Sequence, residues 1–466
     1  MRISTTLTLL GAALCATAAA AAQGGGIFPY PVHQKVMDNG LQVVAIPYDS
    51  PGIVAFYTVV RTGSRDEVEE GHSGFAHFFE HMMFRGTESY SQDEYNDILK
   101  SMGADSNAFT SDDPTVYHIV GPASELETLF AIEADRFQNL EYSEEAFRTE
   151  AGAILGEYSK SASSPFLPLF EKLRETAFRT HTYRHTTIGF LDDIKQMPER
   201  YEYSLRFFDR FYRPENVVVL VVGDIDPQRV FALAQKHYGG WERGYEAPKV
   251  VAEPPPQGPQ RDQVAWPAPT NPYLMIGYRT PAFAPDEEWA ALAVLAQLLF
   301  SESAPLYQEL VVDEQWVDFV SGSASPHRDP YLFTISSRVR SDELLPKVEQ
   351  AIARHIAELQ KQPVDAPRLE RVKSHIRYAF ALSLDSPSAV AREVASVLWL
   401  TGEVGPLNDY YAAIQQVTPP AVQRVAKTVF QDKGKTVVTL AHATPPAAEG
   451  AVEQNPQGAD EGGTPR

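Results

Sequence analysis

The chain of 466 residues has almost no cysteine: the only one is Cys15, which excludes a disulfide scaffold. Positive charge is scarce as well. Lys and Arg number 40 against 61 Asp and Glu, for a net charge of -21. A nucleic-acid binder needs a basic footprint, and so does a protein that docks on anionic lipid, so the balance argues against both. Long apolar runs are missing too. No internal stretch reaches the roughly 18 residues of a spanning helix, and the strongest is Val217 to Val222. What remains is an ordinary globular balance, 44% hydrophobic and 22% charged, over a length that suits two or more domains.

The N-terminal residues 1–22 read as a secretory signal. Arg2 gives a positive start, Leu7 to Ala22 is a run of apolar and small residues, and Ala20-Ala21-Ala22 before Gln23 is a cleavage pattern. Leu14 stands close before Cys15, where a lipoprotein signal wants a small residue, so no lipid anchor is expected. Cleavage after Ala22 leaves a chain free of cysteine, suited to an oxidising compartment. The expected location is across the inner membrane, in a bacterial periplasm.

The rest reads as two similar halves. In residues 27–245, Leu41 to Ile46 follows the turn Asp38-Asn39-Gly40 as a strand, and Ile53 to Arg61 is a second. Helices are expected from Gly74 to Phe84, Gln92 to Met102, Glu125 to Leu140, Glu144 to Ala162 and Pro227 to Tyr238. A hairpin holds Ala108 and Tyr117 to Val120. Val217 to Val222, apolar throughout, suits a strand with both faces buried. Five prolines between Glu246 and Gln263 mark an extended linker over 246–263. Residues 264–442 repeat the order: strand Tyr273 to Arg279, helix Glu287 to Leu299, strand Leu332 to Val339, helices Leu344 to Gln360 and Ala366 to Leu384, and strand Val437 to Ala441. Residues 443–466 are a Pro, Gly, Ala and Glu tail with nothing to bury. The expected architecture is α+β: two homologous domains, each a mainly antiparallel sheet with helices packed on one face.

One constellation carries chemistry. His77-Phe78-Phe79-Glu80-His81 is the reverse of the His-Glu-x-x-His metalloprotease pattern. On a helix His77 and His81 share a face, supplying two legs of a tetrahedral zinc site. Glu80 flanks that face and is placed to take a proton from water, while Phe78 and Phe79 turn elsewhere to anchor the helix. Two bare histidines with a helix-face Glu could equally be core or surface residues. A third ligand must come from elsewhere. Glu150 and Glu157 lie two turns apart on one helix face, and either could face the histidines or be a solvated charge.

The ordered set His77-x-x-Glu80-His81, then Glu157, resembles the pitrilysin/insulinase family of inverted zinc peptidases. Further matches are Asp38-Asn39-Gly40-Leu41, Gly63-Ser64-Arg65-Asp66-Glu67, Phe84-Arg85-Gly86-Thr87, Asn107-Ala108-Phe109-Thr110, His181-Thr182-Tyr183 and Tyr212-Arg213-Pro214-Glu215-Asn216. The size is similar to the short, two-domain branch that works as dimers, each chain half of a clamshell. The resemblance implies one zinc per chain on His77, His81 and Glu157, with Glu80 as general base and Glu150 as a supporting acid. It implies that Asn107 and the backbone of Ala108, Phe109 and Thr110 hold an extended peptide by strand addition. The implied activity is a zinc endopeptidase acting on short or unfolded peptides. The alternative is a non-catalytic peptide-binding or assembly subunit with a retained metal site.

Two departures bear on partners. The second half has no His near Ala293 to Gln297, where the metal motif would repeat. Family members that work alone carry an Arg and a Tyr in the second half, and those positions fall here on Val311 and Asp318. A homologous partner supplying that Arg/Tyr pair would complete a heterodimer. In a homodimer, another Arg such as Arg338 or Arg340 would have to stand in.

Overall fold

The computed structural model describes residues 26–443; the signal-like segment with Cys15, and the tail beyond 443, lie outside the described residues. The first half builds six strands: β1 (His33–Val36), β2 (Gln42–Pro47), β3 (Ile53–Val60), β4 (Asp105–Thr110), β5 (Thr115–Pro122) and β6 (Val217–Gly223). Its helices are α1 (Phe75–Met82), α2 (Gln92–Met102), α3 (Leu126–Gln138), α4 (Glu144–Ser161), α5 (Phe166–Ala177), α6 (Leu191–Gln196), α7 (Tyr201–Phe211) and α8 (Pro227–Tyr238). The sheet runs β1-β2-β6-β3-β5-β4, antiparallel except where β2 meets β6. The second half adds β7 (Gln260–Trp266), β8 (Tyr273–Arg279), β9 (Val317–Ala324), β10 (Leu332–Val339) and β11 (Lys435–His442), ordered β7-β11-β8-β10-β9. Around it lie α9 (Glu287–Phe300), α10 (Pro305–Tyr307), α11 (Leu345–Lys361), α12 (Ala366–Ser383), α13 (Pro387–Thr401), α14 (Gly405–Gln416) and α15 (Pro419–Val429).

The α+β class and the mainly antiparallel sheets are as the sequence implied. The Pro-rich stretch ends sooner than expected: after Pro259 no proline interrupts pairing, and Gln260 begins edge strand β7, parallel to β11. Contrary to the expectation that no internal stretch reaches a spanning length, Glu287–Asp313 is long and apolar enough by composition to cross a membrane, because a helix tolerates scattered polar residues that break a strictly apolar run. Its α9 portion is core, with Leu292, Leu295 and Leu298 buried.

Each sheet also has its second face covered, by a helix from the other half. Along β6, Val217, Val219 and Val221 pack toward α1, α3 and α8. The alternate residues Val218, Leu220 and Val222 pack on Val390, Val394 and Leu398 of α13. This is why Val217 to Val222 is apolar without alternation. Reciprocally, Leu169 and Leu173 of α5 cover Met275, Val438 and Leu440 of the second sheet. At about 1.5–3 kcal/mol for each buried aliphatic side chain, the exchange ties the two halves into one unit.

Polar contacts reinforce it. Asp112, buried, receives Arg174 Nη2 at 2.7 Å and pairs with His327 Nε2 at 2.9 Å. Arg328 of the second half reaches Asp66 at 2.7 Å and Asp113 at 3.2 Å in the first. Burial alone would raise the Asp112 pKa, but Arg174 and His327 hold it well below the usual carboxylate range.

Candidate metal centre and active site

Helix α1 is set by its buried face. Phe78 meets Phe147 of α4 at 5.0 Å between ring centroids, and Phe79 stacks on Phe207 of α7 at 5.3 Å. Both phenylalanines are fully buried, as expected of anchors. The helix begins at Gly74, whose φ of 94° and the nearby Ile188 carbonyl, 2.6 Å from where a Cβ would sit, leave room only for glycine. Its first amides are capped from a distance: the Glu67 carboxylate accepts from Gly74 N at 2.8 Å and Ala76 N at 2.7 Å. Burial nonetheless pushes the Glu67 carboxyl well up.

With that face fixed, His77 and His81 turn to the other side, 4.9 Å apart between ring centroids. Helix α4, capped by Ser143 at Ala146 N (3.1 Å), lays Glu157 against them. Glu157 Oε2 is 3.7 Å from His77 Nε2 and 3.5 Å from His81 Nε2. One ligand atom from each of the three residues falls within a 4.8 Å cluster. Glu150 sits one layer behind, buried, 2.8 Å from His81 Nδ1, and Arg85 grips its other oxygen. With His81 Nδ1–H donated to Glu150, its Nε2 lone pair faces the cluster. Burial pushes His77 down to about 4, with His81 adding to the effect, so its imidazole is neutral at neutral pH. The Glu150 hydrogen bond raises His81 against its burial. Burial would raise Glu150, but His81 and Arg85 hold it below its ordinary value.

Two neutral-capable imidazoles and one carboxylate, with both Nε2 atoms turned to a common point and Glu150 fixing a tautomer, fit zinc by the chemistry of the donor set. Glu80 projects beside them. Thr110 Oγ1 donates to Glu80 Oε2 at 2.7 Å, and burial raises the Glu80 carboxyl despite that bond.

The four predicted substrate residues lie in β4, which among the described residues pairs only with β5 and leaves its other edge open beside α1. They face different ways. Asn107 is exposed, and its Oδ1 accepts from Ala108 N at 2.8 Å; Ala108 is buried. Phe109 turns to Trp399 of α13, 6.2 Å between centroids, and Thr110 turns to Glu80. A cleft of about 520 Å³ continues from His77 and Glu157 past Phe170 to Ser323, Ser325 and His327 of the second half. Val311 is half-buried against the second core. Asp318 is not bare: Arg338 and Arg340 lie 3.5 and 3.3 Å from its carboxylate.

The sequence reading gave Thr110 a backbone role only, and named Arg85 and Glu67 without a function. The side-chain contacts of all three cross between elements, and no local pattern announces them.

The sequence profile described as Insulinase (Peptidase family M16) matches residues 43–189, and that described as Peptidase M16 inactive domain matches 200–376. Zinc protease PqqE of Helicobacter pylori is 29% identical over 88% of this chain and 93% of that protein. A protein of Schizosaccharomyces pombe named probable mitochondrial-processing peptidase subunit beta is 25% identical over 90% of this chain and 92% of its own length. Among solved structures, a protease from Helicobacter pylori superposes with a TM-score of 0.84 at 28% identity, over 88% of this chain and 99% of that one.

Proposed function

Because the chain belongs to the insulinase (peptidase M16) family of zinc peptidases, in its two-domain form, we propose that it is a zinc-dependent endopeptidase for short or unfolded peptides. The observation that carries the reading is the cluster of His77, His81 and Glu157 within 4.8 Å, with Glu80 held beside it by Thr110. In this reading those three residues are the ligands of one zinc per chain. Zinc, when bound there, polarises the scissile carbonyl and makes water acidic enough to attack near neutral pH. The chain's own groups do the rest. Glu80 takes the proton at its carboxylate and hands it to the leaving amine. Glu150 holds His81 in one tautomer, and Arg85 holds Glu150. The open edge of β4 aligns an extended peptide by backbone pairing, with Asn107, Ala108, Phe109 and Thr110 along it.

The division ahead of β7, within 246–259, the signal over 1–22 and a periplasmic location belong to the same proposal. So does a homologous partner. With Val311 and Asp318 where an Arg and a Tyr would stand, this chain would be the metal-carrying subunit of a heterodimer. Arg338 and Arg340, already at Asp318, are the groups a homodimer would use instead. The test is zinc content together with cleavage of a quenched peptide, by the chain alone and mixed with a homologous subunit. Stoichiometric zinc, with cleavage that His77→Ala abolishes, is the expected result. Full zinc in His77→Ala, or cleavage that survives it, overturns the assignment.

A further inference from the structure

The groove between α9 and α12 stands in the second half where the metal centre stands in the first. Helix α4 packs on α1 as α12 packs on α9. Both α4 and α12 run 18 residues. In α4 the seventh and fourteenth residues are Glu150 and Glu157; the same steps along α12 reach Val372 and Ala379. The acids are gone, yet this face is not neutral. Arg368, Arg371 and His375 recur on it at helical spacing. They line a groove of about 860 Å³, closed by Gln297 and the Ser301–Pro305 loop, with Glu302 as its acid.

The positive charge has little to balance it. Arg368 donates from Nη2 to the Leu298 carbonyl at 2.6 Å. Burial, and then the charge of Arg371, push its guanidinium below the ordinary value, outweighing the nearby acids Asp365 and Glu358. Glu370, the nearest acid in sequence, is taken by Lys373 at 2.8 Å. Among the described residues, neither arginine of this face, nor His375 beside them, forms an ion pair within 4.0 Å. This in a chain of net charge -21 is a local reversal of sign. Farther along the same face stand Tyr378 and Leu382, 66% and 77% exposed. The opposite face, with Leu369 and Phe380, is buried. The outward face is therefore cationic at one end and apolar at the other.

We infer that this face of α12 and its groove bind an acidic peptide segment, carboxylates over Arg368, Arg371 and His375 and an apolar side chain over Tyr378 and Leu382. From Arg368 to Leu382 the helix rises about 21 Å, which about six residues of extended chain would span. The apolar end favours a peptide over a free inorganic anion. The chain's net charge opposes docking on anionic lipid. A strip about 21 Å by 10 Å is far smaller than the roughly 800 Å² per partner of a stable dimer, which disfavours a second copy. The inference does not depend on the metal-centre reading.

The test uses the full chain with a chelator present, so that nothing is cleaved. The probe is a fluorescein-labelled peptide with a run of glutamates followed by leucine; its control has glutamine for glutamate. The acidic peptide should bind at least about tenfold more tightly than the control, and more weakly as salt rises. The double variant Arg371→Glu with His375→Glu should weaken it by about tenfold or more, Arg371→Gln by less, and Leu382→Ser by about threefold. All these side chains are exposed, so the melting temperature should stay at the wild-type value, and Arg371→Gln gives the milder check on folding. Equal binding of the two peptides, or unchanged binding by the double variant, overturns the inference. So does displacement of the peptide by an equal concentration of inorganic phosphate. Self-association of the wild type that the double variant abolishes would reassign the face to an interface between copies.

Discussion

In the first half the pair α1 and α4 brings His77, His81 and Glu157 to one point; in the second, α9 and α12 bring Gln297, Arg371 and His375 to the rim of a groove. The core-facing sides of these helices are alike. Phe78, Phe79 and Met82 fill one core, and Leu292, Leu295 and Leu299 fill the other. The groove sides share nothing. Packing needs only the buried stripe of a helix to be apolar and of the right volume, so the outward stripe is free to carry the His77, His81 and Glu157 cluster in one copy and the arginines Arg368 and Arg371 in the other.

The sharpest way to break this comparison is to remove the proposed ligands. His77→Ala should lose zinc and activity together, while Gln297→Ala, at the matching groove of the second half, should leave both at the wild-type level. Glu80→Gln should keep zinc and fold and lose turnover by at least about a hundredfold, because an amide cannot accept the proton. Metal analysis beside a peptide assay separates the cases; near-normal turnover in Glu80→Gln would remove it as the base.

The next effect concerns how firmly the halves are joined. Arg328→Ala removes one charged donor from the buried carboxylates of Asp66 and Asp113, leaving Arg65 at 2.9 Å from Asp66 and the Tyr183 hydroxyl at 2.8 Å from Asp113, and should cost about 1.5–3 kcal/mol in a denaturant melt. The same junction predicts acid sensitivity. Asp329, where burial is outweighed by His181 and Arg65, is held down to about 2, and Asp112 is also depressed. A carboxylate depressed in the fold stabilises above its unfolded value, near about 3.9, and that stabilisation is lost as pH falls through the folded value. The share of the melting temperature that rests on these two carboxylates should be lost between about pH 4 and 2, below the range in which the buried His77 and His185, both held down to about 4, already lower it. A flat profile over that window would show that the junction carries no such load.

A smaller change tests the layer behind the ligands. Glu150→Gln should weaken zinc binding by about tenfold to a hundredfold, short of the loss in Glu157→Gln. The distances support this order, since Glu150 meets His81 through Nδ1 and Glu157 meets it through Nε2. If a zinc titration finds the two variants equal, the acids have been given the wrong roles.

Much of this was legible in the sequence, and the limits have a physical cause. Helices Gln92–Met102 and Pro227–Tyr238 and strand Leu332–Val339 fall where pattern and capping place them, because local signals decide them. The spacing of His77, Glu80 and His81 needs only a helix to bring the residues together. The choice between Glu150 and Glu157 came from the family resemblance, since spacing alone puts both on one face. The covering of β6 by α13, and of the second sheet by α5, could not be read. An apolar run says that a face is buried but not which distant segment covers it. Edge strand β7 is polar and hides within a Pro-rich stretch. The cationic groove of α12 looks, as sequence, like an ordinary solvated helix face; only its place opposite α9 gives it an outline.

The last and smallest effect lies at Thr110. Its hydroxyl donates to Glu80 Oε2 at 2.7 Å from the end of β4, the strand offered as the substrate's track. Thr110 therefore joins the proposed peptide track to the proposed base. A hydrogen bond to a charged group is worth about 1.5–3 kcal/mol, and since Glu80 keeps its place on α1 without it, only part of that should be felt. Thr110→Val, close in shape, should lower kcat roughly tenfold with zinc content unchanged, and Thr110→Ser should recover most of it. KM should move little, because backbone pairing along β4 does not use the hydroxyl. If Thr110→Val instead raises KM at constant kcat, the side chain serves substrate binding alone and Glu80 is positioned by α1 by itself.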